Sequence, residues 1–120
     1  MIGRLTLSLL LIFSGSFLAS SIQTDNGRVV VTDVRFEGDD RQMMSGLLYV
    51  PVSATVDSPQ PGVLAVHGYI NSRETQSGFA IELSRRGFVV LALDQTGHGY
   101  SDPPAFSQGF GGPAGLRYLQ

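Results

Sequence analysis

The sequence predicts an incomplete α/β fold, in which an antiparallel pair of strands precedes a parallel strand–helix–strand unit. Residues 62–66 and 88–93 are apolar at every position, which is typical of parallel strands covered by helices on both faces. An amphipathic segment with helical spacing lies between them. The chain has 120 residues, of which 42% are hydrophobic, as expected for one globular unit. We therefore expect part of a three-layered αβα sandwich.

The antiparallel pair is predicted from the region before residue 52. Residues 28–36 alternate well enough for a half-buried strand, with Val29 and Val31 on its apolar side. Turn-forming residues follow, and residues 44–50 form a second apolar strand that Pro51 ends. The Pro-, Ser- and Asp-rich stretch after this proline predicts a surface loop.

The central helix has a start signal and a stop signal in the sequence. Asn71 followed three residues later by Glu74 fits a capping box at its start. Gly87 stands where a left-handed residue closes a helix. One apolar face is expected to contain Phe79, Ala80 and Leu83.

The first 21 residues have the layout of an export leader. Arg4 gives a positive start, residues 5–19 are uncharged and mostly Leu, Ile and Phe, and small residues follow at 19–21. The apolar run is shorter than the ~20 residues that comfortably span a bilayer. A cleaved signal peptide and a membrane anchor through residues 2–19 both stay open. We expect the rest of the chain to be exported, either secreted or periplasmic, or anchored and facing outward.

The charged residues and the lack of cysteine exclude several functions. All eight basic residues are scattered arginines against ten acids, and the chain has no Lys, so neither a P-loop nor a nucleic-acid surface is expected. No cysteine is present for thiolate chemistry. The spacing of His and Asp supports no metal site.

Two short motifs follow directly on the two apolar strands. His67-Gly68-Tyr69 follows residues 62–66, and Asp-Gln-Thr-Gly-His-Gly-Tyr-Ser occupies residues 94–101. Ligands bind at such carboxyl ends in open α/β sheets. With the intervening helix, residues 61–104 resemble the N-terminal half of the α/β-hydrolase family, in which H-G-x and D-x-x-G-x-G-x-S motifs follow successive strands. Residues 22–120 are then the N-terminal part of such a domain.

The resemblance implies roles for particular residues. The backbone N–H of Tyr69 would be one donor of an oxyanion hole, and Gly68 would let the substrate approach the backbone. Structural support of the site would come from His67, Asp94, Gly97, His98, Gly99 and Ser101. The family order of nucleophile, acid and base places the whole catalytic triad after Gln120.

The resulting functional hypothesis is a serine hydrolase acting on a carboxylic ester or related acyl bond of a small molecule, without a cofactor. One alternative is an Asp-nucleophile hydrolase of the same fold, and another is a non-catalytic or truncated hydrolase-fold protein. Tyr69, Ile70 and Asn71 could shape a pocket, although surface packing of Tyr69 is equally open. Other expectations are a pocket border at Phe106, Phe110 and residues 109–112, and a helix starting at residue 113.

Overall fold

The computed structural model describes residues 2–103 of the chain, within which four strands and two α-helices alternate with short 3₁₀ turns. The expectations for Phe106, Phe110, residues 109–112 and the helix from residue 113 lie outside the described residues. The elements are helix α1 (Ile2–Gln23), strand β1 (Val29–Glu37), a 3₁₀ turn (Asp39–Arg41), strands β2 (Met43–Pro51) and β3 (Gly62–Val66), a second 3₁₀ turn (Arg73–Gln76), helix α2 (Ser77–Arg85) and strand β4 (Val89–Asp94).

The four strands form one mixed sheet in the order β1-β2-β4-β3. β1 and β2 are antiparallel, with Val29 opposite Pro51, and β2 is also antiparallel to β4. β3 and β4 are parallel, with Val63 beside Val90. The predicted strand pair and parallel strand–helix–strand unit are therefore confirmed, and β2 joins them into a single sheet.

The buried core lies between the sheet and α2. Its fully enclosed hydrophobic side chains are Val29, Tyr49, Ala80, Val90 and Ala92. Val63 and Ala65 of β3 pack against this cluster, whereas Leu64 and Val66, on the opposite face, are 58% and 44% exposed. Among the described residues, helical cover thus lies on one face of the sheet, so the expected second layer of the sandwich is not seen in this part of the chain.

Helix α2 packs on the core with Ala80 and Leu83, as predicted, but not with Phe79. Ala80 is fully buried, but Phe79 is 70% exposed, so the expectation that these two share the core face was wrong. The buried polar residue on this face is Ser84, whose hydroxyl lies 3.5 Å from the carbonyl oxygen of Tyr49. Small residues at these positions let the helix approach the sheet closely. Glu82 and Arg86 form an ion pair of 2.7 Å on the outer side.

The sequence predicted the C-terminus of the helical segment correctly but not its N-terminus. At the C-terminus, the Gly87 N–H bonds Ser84 O and the Phe88 N–H bonds Leu83 O, with Gly87 at φ +94°. This is the expected left-handed closure. At the N-terminus the predicted capping box was wrong. The residue that precedes the 3₁₀ turn is Ser72 and not Asn71, and the Ser72 side chain makes no capping hydrogen bond.

Candidate active site

Two loops meet at the carboxyl edge of the parallel strands. The β3 loop (residues 67–72) leaves Val66, and the β4 loop (residues 95–102) leaves Asp94. Because β3 and β4 are adjacent and parallel, their loops emerge side by side at the edge where ligands bind in this class of sheet. All eight residues singled out from the sequence lie on these loops or at the end of β4.

His67 holds the two loops together through backbone contacts. It is only 3% exposed, and its Nε2 accepts the Gln95 N–H at 3.1 Å. Nδ1 then carries the proton and donates to Gly68 O at 2.8 Å. The Gln95 side-chain amide returns a bond to His67 O at 2.5 Å. Both ring nitrogens are occupied by main-chain groups, which suits a bracing residue better than a proton-transfer base.

Tyr69 and Gly68 lie at the exposed tip of the β3 loop. The Tyr69 side chain is 86% exposed, and among residues 2–103 neither of the two N–H groups has a hydrogen-bond acceptor. Ile70, the next residue, has φ +59°, so the backbone turns sharply here instead of continuing as strand or helix. A Cβ added to Gly68 would meet only Asn71 Nδ2, at 4.0 Å. The backbone at this tip is therefore open to a bound molecule.

The Asp94 side chain forms hydrogen bonds with the backbone of the segments that follow β3 and β4. The carboxylate is completely buried. Its Oδ1 accepts the Arg73 N–H at 2.7 Å, and its Oδ2 accepts the Tyr100 N–H at 3.1 Å. The first bond caps the 3₁₀ turn before α2. This is the role that the capping-box pattern predicted for Asn71. The cap is thus supplied by a strand 21 residues away in sequence.

Gly99 makes the Asp94 contacts possible. Its φ is +52°, and a Cβ at this position would overlap the Asp94 carboxylate. Gly97, two residues earlier, also has positive φ, at +78°. The glycines of the second motif are therefore required by the path of the β4 loop around a buried carboxylate.

Arg73 is the central residue of the site that sequence reasoning missed. It is 4% exposed, and its guanidinium binds Asp33 of β1 through two bonds of 2.7 and 3.2 Å. Nη1 also donates to Ser45 Oγ at 2.8 Å. The hydrogen bond to Asp33 is the main cause that raises the pKa of Arg73, and the same bond lowers the pKa of Asp33.

A signal for this contact was present in the sequence. Val29, Val31 and Asp33 alternate along β1, so Asp33 falls on the same side of the strand as the core residue Val29. The Asp33 side chain is 58% exposed, whereas that of Arg73 is only 5% exposed. The buried arginine is therefore the member of the pair that needs a partner, and a carboxylate beside the apolar positions of β1 supplies it. The Tyr100 ring covers this arginine, 5.0 Å from the guanidinium carbon.

Ser101 fastens the end of the β4 loop to β2. Its hydroxyl donates to Asp94 O at 2.7 Å and accepts the Ser45 N–H at 2.9 Å. Asp102 continues this contact, since its Oδ2 accepts the Met43 N–H at 2.9 Å. The end of the β4 loop is therefore fixed to β2 by two neighbouring polar side chains.

His98 lies between the loops in a less enclosed position. Its ring is 5.1 Å from that of His67 and 6.4 Å from that of Tyr69, centre to centre. Nδ1 lies 3.2 Å from Thr96 O within its own turn. The structure thus brings all the predicted site residues to one place. In the part of the chain that it describes, no group of three or more His, Asp or Glu side chains could hold a metal ion.

Comparison with known families decides the assignment. A family model described as serine aminopeptidase, S33, matches residues 57–116, which is half of the chain. The chain belongs to the α/β-hydrolases. The match includes both motif loops, α2 and the two parallel strands. None of the curated proteins matches this chain.

Solved structures show the same α/β-hydrolase fold. A hypothetical protein from Pseudomonas aeruginosa is similar with a TM-score of 0.57 and 26% identity, over 65% of this chain and 24% of that one. An acetyl xylan esterase from Thermoanaerobacterium gives a TM-score of 0.55 and 21% identity over 65% and 24% of the two chains. A thioesterase domain from the curacin biosynthetic pathway gives 0.53 and 21% over 64% and 25%. The chain spans about a quarter of the length of the structures it matches.

Proposed function

We propose that the complete protein hydrolyses a carboxylic ester or a related acyl bond through a serine nucleophile outside this chain. The observation that carries the proposal is the N–H of Tyr69 at the carboxyl edge of β3, which has no acceptor within residues 2–103 and lies beside a glycine with open space. In this proposal that N–H is one donor to the oxyanion of the tetrahedral intermediate.

The chemistry needs such a donor because negative charge builds up on the carbonyl oxygen. A general base takes the proton of a serine hydroxyl while the serine oxygen attacks the acyl carbon, the C=O π pair moves onto the carbonyl oxygen, and the base later gives that proton to the leaving group. The intermediate collapses, expels the leaving group, which receives a proton, and leaves an acyl-enzyme that water then hydrolyses. A backbone N–H already aimed at the oxygen stabilises both tetrahedral species without reorganising.

The environment of the β3 loop suits this task. An oxyanion donor must stay in place while charge develops, and displacement by about an ångström is costly. His67 braces the loop at its start through Gly68 O, and Asp94 holds its end through the Arg73 N–H. Tyr69 lies between these two fixed points. The loop is therefore held at both ends while its tip is free to bind.

The family model also supports a serine mechanism. Its description names a serine aminopeptidase, whose reaction is acyl transfer from nitrogen. Ester, thioester and amide carbonyls pass through the same tetrahedral oxyanion. The partner that we propose is accordingly a small molecule with an activated or accessible acyl group, and His67 and Asp94 are supporting residues instead of members of the triad.

The experiment is active-site labelling of the complete protein that contains this chain. A fluorophosphonate probe should attach to one serine beyond residue 120, and peptide mapping would locate it. A Ser→Ala variant at that position should lose both labelling and hydrolysis of p-nitrophenyl esters. Hydrolysis that persists without labelling would indicate an aspartate nucleophile. Absence of both labelling and hydrolysis in a folded protein would contradict the proposal.

A further inference from the structure

We propose that α1 is a retained membrane anchor whose last turn is built into the hydrolase domain, so that the lipid bilayer is a permanent partner of this protein. This inference is independent of the reaction proposed above. It rests on the length and composition of α1 and on the hydrogen bonds that join α1 to β1.

Helix α1 is long enough to span a bilayer. It runs for 22 residues without a break, which corresponds to about 33 Å against a hydrocarbon core of about 30 Å. An 18-residue window within residues 3–23 has a mean hydropathy of 1.9, and Arg4 is the one charged residue of this segment. The sequence suggested a shorter apolar run ending near Ala19, but the helix continues through Ser20 and Ser21 to Gln23.

The residues that a signal peptidase would separate are hydrogen-bonded to each other. Ser20 O accepts both the Thr24 N–H at 3.0 Å and the Thr24 hydroxyl at 2.7 Å. Ser21 O accepts the Asn26 N–H at 2.7 Å. Cleavage after Ala19, Ser20 or Ser21 would break the helical turn that supplies these acceptors or remove them. The expected cleavage site is therefore part of the folded junction.

The junction itself is a tight turn that depends on these bonds. Asp25, Asn26 and Gly27 have φ values of +49°, +56° and +80°. Two non-glycine residues in succession in the left-handed region are costly and persist only where neighbouring structure fixes them. The Val29 N–H, at the start of β1, closes the turn on Thr24 O at 2.9 Å.

Asp25 then fastens the junction to the hydrolase core. It is only 4% exposed. Its carboxylate accepts a bond from Arg85 Nε, at the end of α2, at 2.8 Å, and it also pairs with Arg28 at 2.9 Å. Ile22 meanwhile forms one wall of a groove of about 550 Å³, whose opposite walls include Tyr49 and Ile81. The turn that follows α1 is therefore bonded to α2, and the last turn of α1 faces the sheet and α2 across this groove.

The charge at the other end of α1 gives the orientation. Arg4 precedes the apolar run, whereas Arg28, Arg35 and Arg41 follow it within a folded domain. Positive residues in short flanking segments favour the cytoplasmic side, and long domains translocate largely regardless of their charge, so Arg4 sets the orientation. The domain after Gln23 then lies on the outer face of the membrane. Because the junction is a fixed turn instead of a flexible linker, the domain is held at a defined distance from the lipid surface.

The test uses the complete protein with a C-terminal tag, expressed in a bacterial host. Membranes are washed with alkaline carbonate, and the N-terminus of the tagged protein is determined by mass spectrometry. We expect the protein in the membrane pellet, with α1 intact. A soluble protein whose N-terminus lies between residues 20 and 22 would overturn the anchor.

A variant pair tests the built-in junction. Arg85→Gln removes the contact to Asp25 together with a surface pair with Glu82, whereas Arg86→Gln removes contacts with Glu82 alone. Limited proteolysis of outward-facing domains should cut within residues 20–28 at least several-fold faster in Arg85→Gln than in wild type. The Arg86→Gln protein should match wild type. Equal cutting rates in Arg85→Gln and wild type, with both proteins in the membrane, would contradict a junction held by Asp25.

Discussion

The Asp94 carboxylate accepts the Arg73 N–H at 2.7 Å, directly after the β3 loop, and the Tyr100 N–H at 3.1 Å, within the β4 loop. These two amides come from segments that follow different strands, so one buried side chain fixes their separation. Arg73 returns the contact with its guanidinium, whose Nε lies 3.5 Å from Asp94 Oδ2. This acid and this base therefore fix the spacing of the two segments, in addition to the contacts of His67 and Ser101.

Gly99→Ala should test how tightly the β4 loop closes on Asp94. A Cβ at Gly99 would overlap the carboxylate and also occupy a backbone with φ +52°. We expect the free energy of unfolding to fall by more than about 2 kcal/mol, measured by urea denaturation. Gly27→Ala is the matched control, because its φ is +80° with nothing within 4 Å of the added carbon. If both variants lose the same stability, the close contact with Asp94 is unimportant.

Arg73→Gln should be the most destabilising polar substitution at the site. It would leave the fully buried Asp94 carboxylate without its positive neighbour. Removing one partner of a buried ion pair lowers the free energy of unfolding by on the order of 3 kcal/mol. Arg73→Lys should recover only part of this loss, because lysine lacks the planar guanidinium that binds Asp33 through two bonds. Arg86→Gln, on the exposed face of α2, should change little. An Arg73→Gln protein as stable as Arg86→Gln would refute the central role of this arginine.

The Asp33–Arg73 contact should make stability sensitive to acid. The hydrogen bond from Arg73 lowers the pKa of Asp33 below its ordinary value of 3.8. The folded protein therefore binds a proton at Asp33 less readily than the unfolded chain does. The stabilisation is fully present above pH ~4 and is lost as the pH falls through the lowered pKa. Urea denaturation between pH 7 and pH 2 should show a shallower acid decline in Asp33→Asn than in wild type. Identical declines would show that this carboxylate does not contribute.

Much of the fold could be predicted because its signals are local. β3 has the bounds that its apolar run indicated, Gly62–Val66, since the run ends where the polar motif begins. Gly87 closes α2 because the left-handed conformation is a property of one residue and its neighbours. The order of the motifs predicted that His67 and Asp94 would lie at one edge of the sheet.

The remaining features depend on contacts between distant parts of the chain. Asn71 and Glu74 had the spacing of a capping box, but Asp94 already supplies an acceptor for Arg73 N–H, and this acceptor comes from another strand. Phe79 looked like a core residue because its spacing is helical, yet the face that a helix buries is chosen by its neighbours. Asp33 and Arg73 could have been paired only by noticing a charge on the apolar side of β1.

The most direct measurement compares Tyr69→Pro with Tyr69→Ala in the complete protein, using p-nitrophenyl ester hydrolysis and thermal unfolding. Proline removes the backbone N–H of residue 69, whereas alanine keeps it and removes the same ring. Because this N–H has no partner within residues 2–103 and the side chain is 86% exposed, both variants should unfold near the wild-type temperature. We expect kcat to fall roughly 10²- to 10³-fold in Tyr69→Pro and to stay within a few-fold of wild type in Tyr69→Ala. A folded Tyr69→Pro enzyme with wild-type kcat would contradict the role of this amide as an oxyanion donor.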